Sequence, residues 1–134
     1  MTKTRATVTR TLGALAAAVA MSTVLAATPA HAGPNDNRLY QCIEEVGSSD
    51  GEYTPNVVLA TGSTGICVEE LQSDLLALGA VRQQDIPGFV DGDFGPKTYA
   101  AVVTFQRRAS VAGGADGIVG PNTWKRLVNA AYFD

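Results

Sequence analysis

Asp91-Gly92-Asp93-Phe94-Gly95-Pro96-Lys97-Thr98-Tyr99 is matched 25 residues on by Asp116-Gly117-Ile118-Val119-Gly120-Pro121-Asn122-Thr123-Trp124. Asp, both Gly, Pro and Thr are identical, and Tyr99 faces Trp124. Asp-Gly is turn chemistry: Gly takes φ > 0 at no steric cost, and the Asp side chain bonds the backbone two residues on. Pro suits the first position of a helix, where an N–H has no intrahelical partner anyway. The second Gly is expected to let the chain come close to the helix that follows. The Thr hydroxyl is expected to bond the open N–H groups at the helix start. Phe94 and Val119, apolar and at the same place in each turn, should staple it to the core.

Each turn therefore launches a helix. The one from Pro96 carries Tyr99, Val102, Val103, Phe105 and Gln106 and loosens at Ser110. The one from Pro121 has the apolar stripe Trp124, Leu127, Val128 and Ala131. Upstream, Val68, Leu71, Leu75 and Leu78 share one helical face and predict a helix over about residues 65–79, stopped by Gly79. It follows a weaker copy of the turn, Gly62-Ser63-Thr64-Gly65. Two clear copies are too few for a solenoid. The expected fold class is all-α: over residues 62–134, a compact three-helix bundle with a Gly-x-x-Gly turn before each helix.

Residues 33–61 form an N-terminal extension. Leu39, Tyr40, Ile43 and Val46 suggest one to two helical turns closed by Gly47, and Val57-Val58-Leu59 is a short extended apolar patch. The only cysteines are Cys42 in the extension and Cys67 in the first helix of the bundle. In an oxidising compartment such a pair reads as one disulfide, with free buried thiols or interchain pairing as the alternatives.

Residues 1–32 have the order of a secretory signal. Lys3, Arg5 and Arg10 come first, an apolar run follows from Leu12 to Ala27, and Ala30-His31-Ala32 is a cleavage site. The signal holds three of the ten basic residues and none of the thirteen acids, so cleavage leaves seven against thirteen, a net of −6. That sign opposes nucleic-acid binding, which rests on neutralised phosphates. It also opposes attraction to anionic membranes, and no remaining apolar run is long enough to span one.

The single histidine, His31, leaves with the signal. A mature chain without His excludes Ser-His-Asp and Cys-His centres and His-ligated zinc. Asp91-Gly92-Asp93 fails as a calcium loop, because Gly95, Pro96 and Val102 stand where ligands and the loop Gly belong. No metal or cofactor is expected. A carboxylate-pair glycosidase would draw on Asp91, Asp93 and Asp116, but these lie in turns explained by local geometry.

Val68-x-x-Leu71-Gln72-x-x-Leu75, Asp91-Gly92-x-Phe94-Gly95-x-x-Thr98, Ala101-Val102-x-x-Phe105-Gln106 and Asp116-Gly117-Ile118-Val119-Gly120-x-x-Thr123-Trp124-x-x-Leu127 together resemble the peptidoglycan-binding domain family. The resemblance runs from about Gly62 to Val128. It implies a non-catalytic three-helix module that holds its carrier on bacterial cell wall, with the turns packed together. It marks Leu71, Gln72, Phe105 and Gln106 as mainly structural, and a buried Gln would need a turn backbone as partner.

The expected function is a secreted protein that binds peptidoglycan, through its glycan or its stem peptide, and is cell-wall associated. The alternative is a protein-interaction module for a secreted wall hydrolase: an inhibitor, a pro-domain or a partner subunit. Candidate ligand contacts are Asp91, Asp93 and Asp116 in the turns, Arg107 in a local basic patch with Arg108, Lys125 and Arg126, and Tyr99 and Trp124 as flat aromatic faces. For the two aromatics the competing reading is core packing, favoured for Trp124.

Overall fold

The computed structural model describes residues 36–49 and 53–134. The signal-peptide reading of residues 1–32 lies outside the described residues. Among these residues are four helices, one in the extension and three within 62–134: α1 (Asp36–Val46), α2 (Ile66–Ala77), α3 (Pro96–Arg108) and α4 (Pro121–Val128). Strands β1 (Ser48–Ser49) and β2 (Thr54–Pro55) pair antiparallel, with Ser48 opposite Pro55. A 3-10 turn spans Gln83–Asp85, and a wide π-type turn, Asn129–Phe133, follows α4.

The additional helix comes from the extension. α1 runs for 11 residues, longer than the one to two turns its sequence suggests. An isolated helix of that length is marginal in water. Here Leu39 and Cys42 are buried against α2, and the Cys42–Cys67 disulfide holds the two helices with Cα atoms 4.8 Å apart. Gly47, at φ +81°, ends the helix by donating its N–H to the Ile43 carbonyl at 2.7 Å.

α2 buries Val68, Leu71 and Leu75 as its stripe predicts, but also Cys67, Glu70, Gln72 and Asp74. It is the central helix. α1 covers a face that a single apolar stripe would have left to solvent. α3 and α4 begin at Pro96 and Pro121, each with Pro in the first helical turn. Trp124, Leu127 and Val128 are buried on α4, while Ala131 is half-buried.

The turns are sewn to one another by short antiparallel bridges. Leu59 pairs with Val119, exchanging N–H···O bonds of 3.0 and 2.8 Å. Thr64 pairs with Asp93, and the Gly65 N–H reaches the Gly92 carbonyl at 3.0 Å. The apolar patch of the extension therefore supplies the partner strand for the second turn. Phe94 and Val119 point into the core, as stapling requires. No helix among the described residues is long and apolar enough to cross a membrane.

Candidate functional site

Each Asp-Gly turn is filled by a glutamine from the preceding helix. The Gln72 Nε2 amide lies 2.8 Å from Asp91 Oδ1, 3.1 Å from the Asp93 carbonyl and 3.0 Å from Thr98 Oγ1. Its Oε1 accepts the N–H groups of Asp91 and Gly92, both at 2.9 Å. Gln106 repeats this in the second turn. Its Nε2 reaches Asp116 Oδ1 at 3.1 Å, the Ile118 carbonyl at 2.9 Å and Thr123 Oγ1 at 3.1 Å, and its Oε1 accepts the Gly117 N–H at 2.9 Å. Both glutamines are buried, so nearly all their bonding capacity is met by protein groups.

This arrangement corrects two expectations about the turns. The Thr hydroxyls do not cap their helices; they accept the glutamine amides, because a buried amide has first need of them. The close approach falls on the first Gly of each turn rather than the second. A Cβ on Gly92 would press on the Glu69 side chain, and one on Gly117 would collide with the Tyr99 ring, while Gly95 and Gly120 have open space. Gly92 and Gly117 also take φ of +76° and +75°, where a side chain is strained.

The carboxylates are committed to the same turns. Asp91 Oδ1 accepts the Asp93 N–H at 2.9 Å and Asp116 Oδ1 accepts the Ile118 N–H at 3.0 Å. These backbone donors are the main reason both carboxyls sit below the usual Asp range, with the glutamine amides adding to the effect. A glycosidase acid needs the opposite shift. A carboxyl with a raised pKa does exist: burial first, and the neighbouring Glu70 charge second, push Asp74 up to about 9. Asp74 and Glu70 are wholly buried, and Tyr132 donates its hydroxyl to Glu70 Oε1 at 2.5 Å. No polymer chain reaches that pair.

A groove of about 480 Å³ lies between the loop after α3 and the outer face of α4. Ser110, Asn122, Lys125, Arg126 and Asn129 are its polar lining residues, and Val111 and the alanines 109 and 112 its apolar ones. A hollow of about 220 Å³ continues past Ala112 and Asn122 to Gly113, Gly114, Asp116 and Ile118. Hydroxyl, amide, ammonium and guanidinium donors facing open space suit a polymer that carries carboxylates and carbonyls. Asn122 Nδ2 reaches the Ala112 carbonyl at 3.4 Å and links the loop to α4.

The six candidate contacts are dispersed. Asp116 borders the hollow. Tyr99 lies over Gly117 of the same turn and is half exposed. Asp91 and Asp93 belong to the other turn, and Arg107 is exposed in the last turn of α3. Its neighbour Arg108 is engaged with the Gly79 carbonyl beyond α2, at 2.8 Å. Trp124 is fully buried, with Nε1–H donated to the Val57 carbonyl at 2.9 Å, so it is a core residue and offers no face to a ligand. The groove residues Ser110, Asn122 and Asn129 were not singled out from the sequence. A signal existed on α4: Asn122, Lys125, Arg126 and Asn129 fall at i, i+3, i+4 and i+7, a polar stripe opposite Trp124, Leu127 and Val128.

Residues 64–127 match the family described as "Putative peptidoglycan binding domain", and this part of the chain belongs to that family. The chain is 40% identical over 88 residues to the zinc D-Ala-D-Ala carboxypeptidase of Streptomyces albus G, covering 62% of this chain and 31% of that protein. It is 34% identical over 86 residues to a protein of Bacillus licheniformis named "Probable N-acetylmuramoyl-L-alanine amidase", covering 63% of this chain and 23% of that one. It thus spans less than a third of the length of either relative. Among solved structures, the N-terminal domain of SleB is 37% identical, with a TM-score of 0.49, and the match covers 57% of this chain and 94% of that one.

Proposed function

We propose that this protein is secreted, non-catalytic and binds bacterial cell-wall peptidoglycan, using the groove between the loop after α3 and α4. Membership of residues 64–127 in the peptidoglycan-binding family carries the reading. The signal-like N-terminus and the Cys42–Cys67 disulfide favour an extracytoplasmic location. The non-catalytic part draws on the carboxylates, since the accessible Asp91 and Asp116 are lowered and spent on their turns, and the raised Asp74 is sealed in the core. Lys125 and Arg126 are the groups to meet stem-peptide carboxylates. One groove of this size binds weakly, and repetition along the polymer raises retention without new contacts.

The test is sedimentation of the protein with purified insoluble peptidoglycan, with wall turbidity followed in the same tube. Retention without clearing, weakened by Lys125→Ala with Arg126→Ala, is the expected result. Clearing of the suspension would refute the non-catalytic assignment. No retention would refute wall binding and move the search to a co-secreted hydrolase as protein partner.

A further inference from the structure

We propose that the cleft between α1, the start of β2 and the C-terminal turn is a second binding site, for a neutral sugar ring of the wall's glycan strand. It rests on the wall-binding reading above, but none of its residues lies within the family segment 64–127. Tyr40, Tyr53, Tyr132 and Phe133 wall a space of about 290 Å³ over the buried Leu39. Three of the four tyrosines of the chain meet there. Three separate stretches of sequence supply these rings, and the fold brings them together.

The rings are not packed away. Tyr40, Tyr53 and Phe133 keep 52%, 43% and 62% of their surface in solvent. They meet edge-on or tilted instead of stacking: Tyr40 and Tyr53 at 6.2 Å and 76°, Tyr53 and Phe133 at 5.8 Å and 42°. The exposed part of each ring is aromatic surface open to a ligand. Tyr132 is held by its hydroxyl bond to Glu70, which anchors that wall of the cleft to α2. A contiguous exposed aromatic patch on a small protein marks a contact surface.

The chemistry of the walls selects the occupant. No Asp, Glu, Lys or Arg is among the described lining residues. A stem peptide finds counter-charges for its free carboxylates at Lys125 and Arg126 but none among the described lining residues here. A pyranose ring is neutral, with apolar C–H faces and a rim of hydroxyls. Aromatic faces with phenolic hydroxyls at their edges complement both features. The volume sits at the lower edge of small-molecule sites, which run from about 300 Å³ upward, and accommodates one ring of a chain that continues outside.

The probe is the peptide-free tetramer of N-acetylglucosamine, titrated into isotope-labelled protein with the aromatic signals followed by NMR. The expected result is a saturable shift of the Tyr40, Tyr53 and Phe133 ring signals. Tyr53→Ala and Phe133→Ala should each bind the tetramer about tenfold more weakly, as truncation of an aromatic anchor does. Gln84→Ala, exposed and outside the lining of both groove and cleft, should bind it like the unaltered protein. Both aromatic residues are substantially exposed, so unchanged melting temperatures will establish that the variants fold. Unmoved ring signals, or unchanged affinity in both aromatic variants, would overturn the site. Sedimentation with insoluble peptidoglycan separates the two ideas. Wall retention without a tetramer response removes the cleft alone, and loss of retention in the unaltered protein removes the reading beneath it.

Discussion

Gln72→Leu is the substitution that tests the architecture most directly. Leucine has nearly the volume of glutamine, so the core is neither emptied nor overfilled, and the change isolates the hydrogen bonds. Five contacts disappear. Two partners, Asp91 Oδ1 and the Asp91 N–H, belong to an exposed residue and are recovered by water. The Asp93 carbonyl keeps the Gly95 N–H and the Thr98 hydroxyl, so the buried Thr98 loses the glutamine amide but stays bonded, and the Gly92 N–H, in a buried residue, is left without its glutamine partner. The unsatisfied Gly92 N–H costs about 1–3 kcal/mol and the lost Thr98 bond about 0.5–1.5 kcal/mol, partly offset by burying a more apolar side chain. A net loss of about 2 kcal/mol is a sizeable share of the ~5–15 kcal/mol that stabilises a small domain. Urea unfolding followed by far-UV circular dichroism measures it. The melting temperature should fall by about 8 °C or more, at ~4–8 °C per kcal/mol for a domain of this size. Gln106→Leu should behave alike, and Gln84→Leu, on the exposed surface, should stay within about 0.5 kcal/mol of the original. Gln72→Leu as stable as Gln84→Leu would refute the idea that the glutamines hold the turns.

Reduction of Cys42–Cys67 should remove up to roughly 3.5 kcal/mol, the loop-entropy value for a bridge with 25 residues of separation, while α2 to α4 keep their ellipticity; equal melting with and without reductant would contradict it. Trp124→Ala should cost about 3–5 kcal/mol as a core truncation, and a well-folded variant of undiminished stability would show that the indole is not in the core. Stability should peak at mildly acidic pH. Asp91 and Asp116, lowered in the fold, stabilise it above the ordinary Asp pKa, and that contribution is lost as pH falls through their folded values. Asp74 acts oppositely: raised from 3.8 to about 9, it favours the fold most below 3.8, and that stability is lost as pH rises toward 9. Asp74→Asn should therefore raise the melting temperature at pH 8 more than at pH 4.5, and parallel pH profiles for the two proteins would count against the buried acid.

The repeated turn carried most of what was legible beforehand. Asp-Gly and Gly-Pro impose local backbone geometry wherever they occur, so the starts of α3 and α4 at Pro96 and Pro121 follow from the residues themselves. The ~65–79 helix appears as 66–77 for a similar reason, since the stripe of Val68, Leu71 and Leu75 demands one buried face. The need of Gln72 and Gln106 for turn-backbone partners was also readable, because an amide carries donors and acceptors that the core must satisfy. The length of α1 was less so. Its apolar positions support only a turn or two in isolation, and the remainder depends on α2 and the disulfide.

Site residues were harder to read than elements. Tyr99 and Trp124 occupy equivalent positions in the repeat, yet one is half exposed over Gly117 and the other is sealed beneath Val57. A local pattern assigns both the same place on a helix. What covers that place depends on segments far away in sequence: the Val57 carbonyl of the extension takes the Trp124 N–H, whereas the Tyr99 ring lies against Gly117 of the second turn. The same holds for the aromatic cleft, whose rings come from residues 40, 53, 132 and 133. It holds again for Asp74, an ordinary acid in an amphipathic stretch until α2 is enclosed. Turn chemistry and helical periodicity act over a few residues and are written in the chain, whereas burial, pairing and cleft formation are properties of which distant surfaces meet.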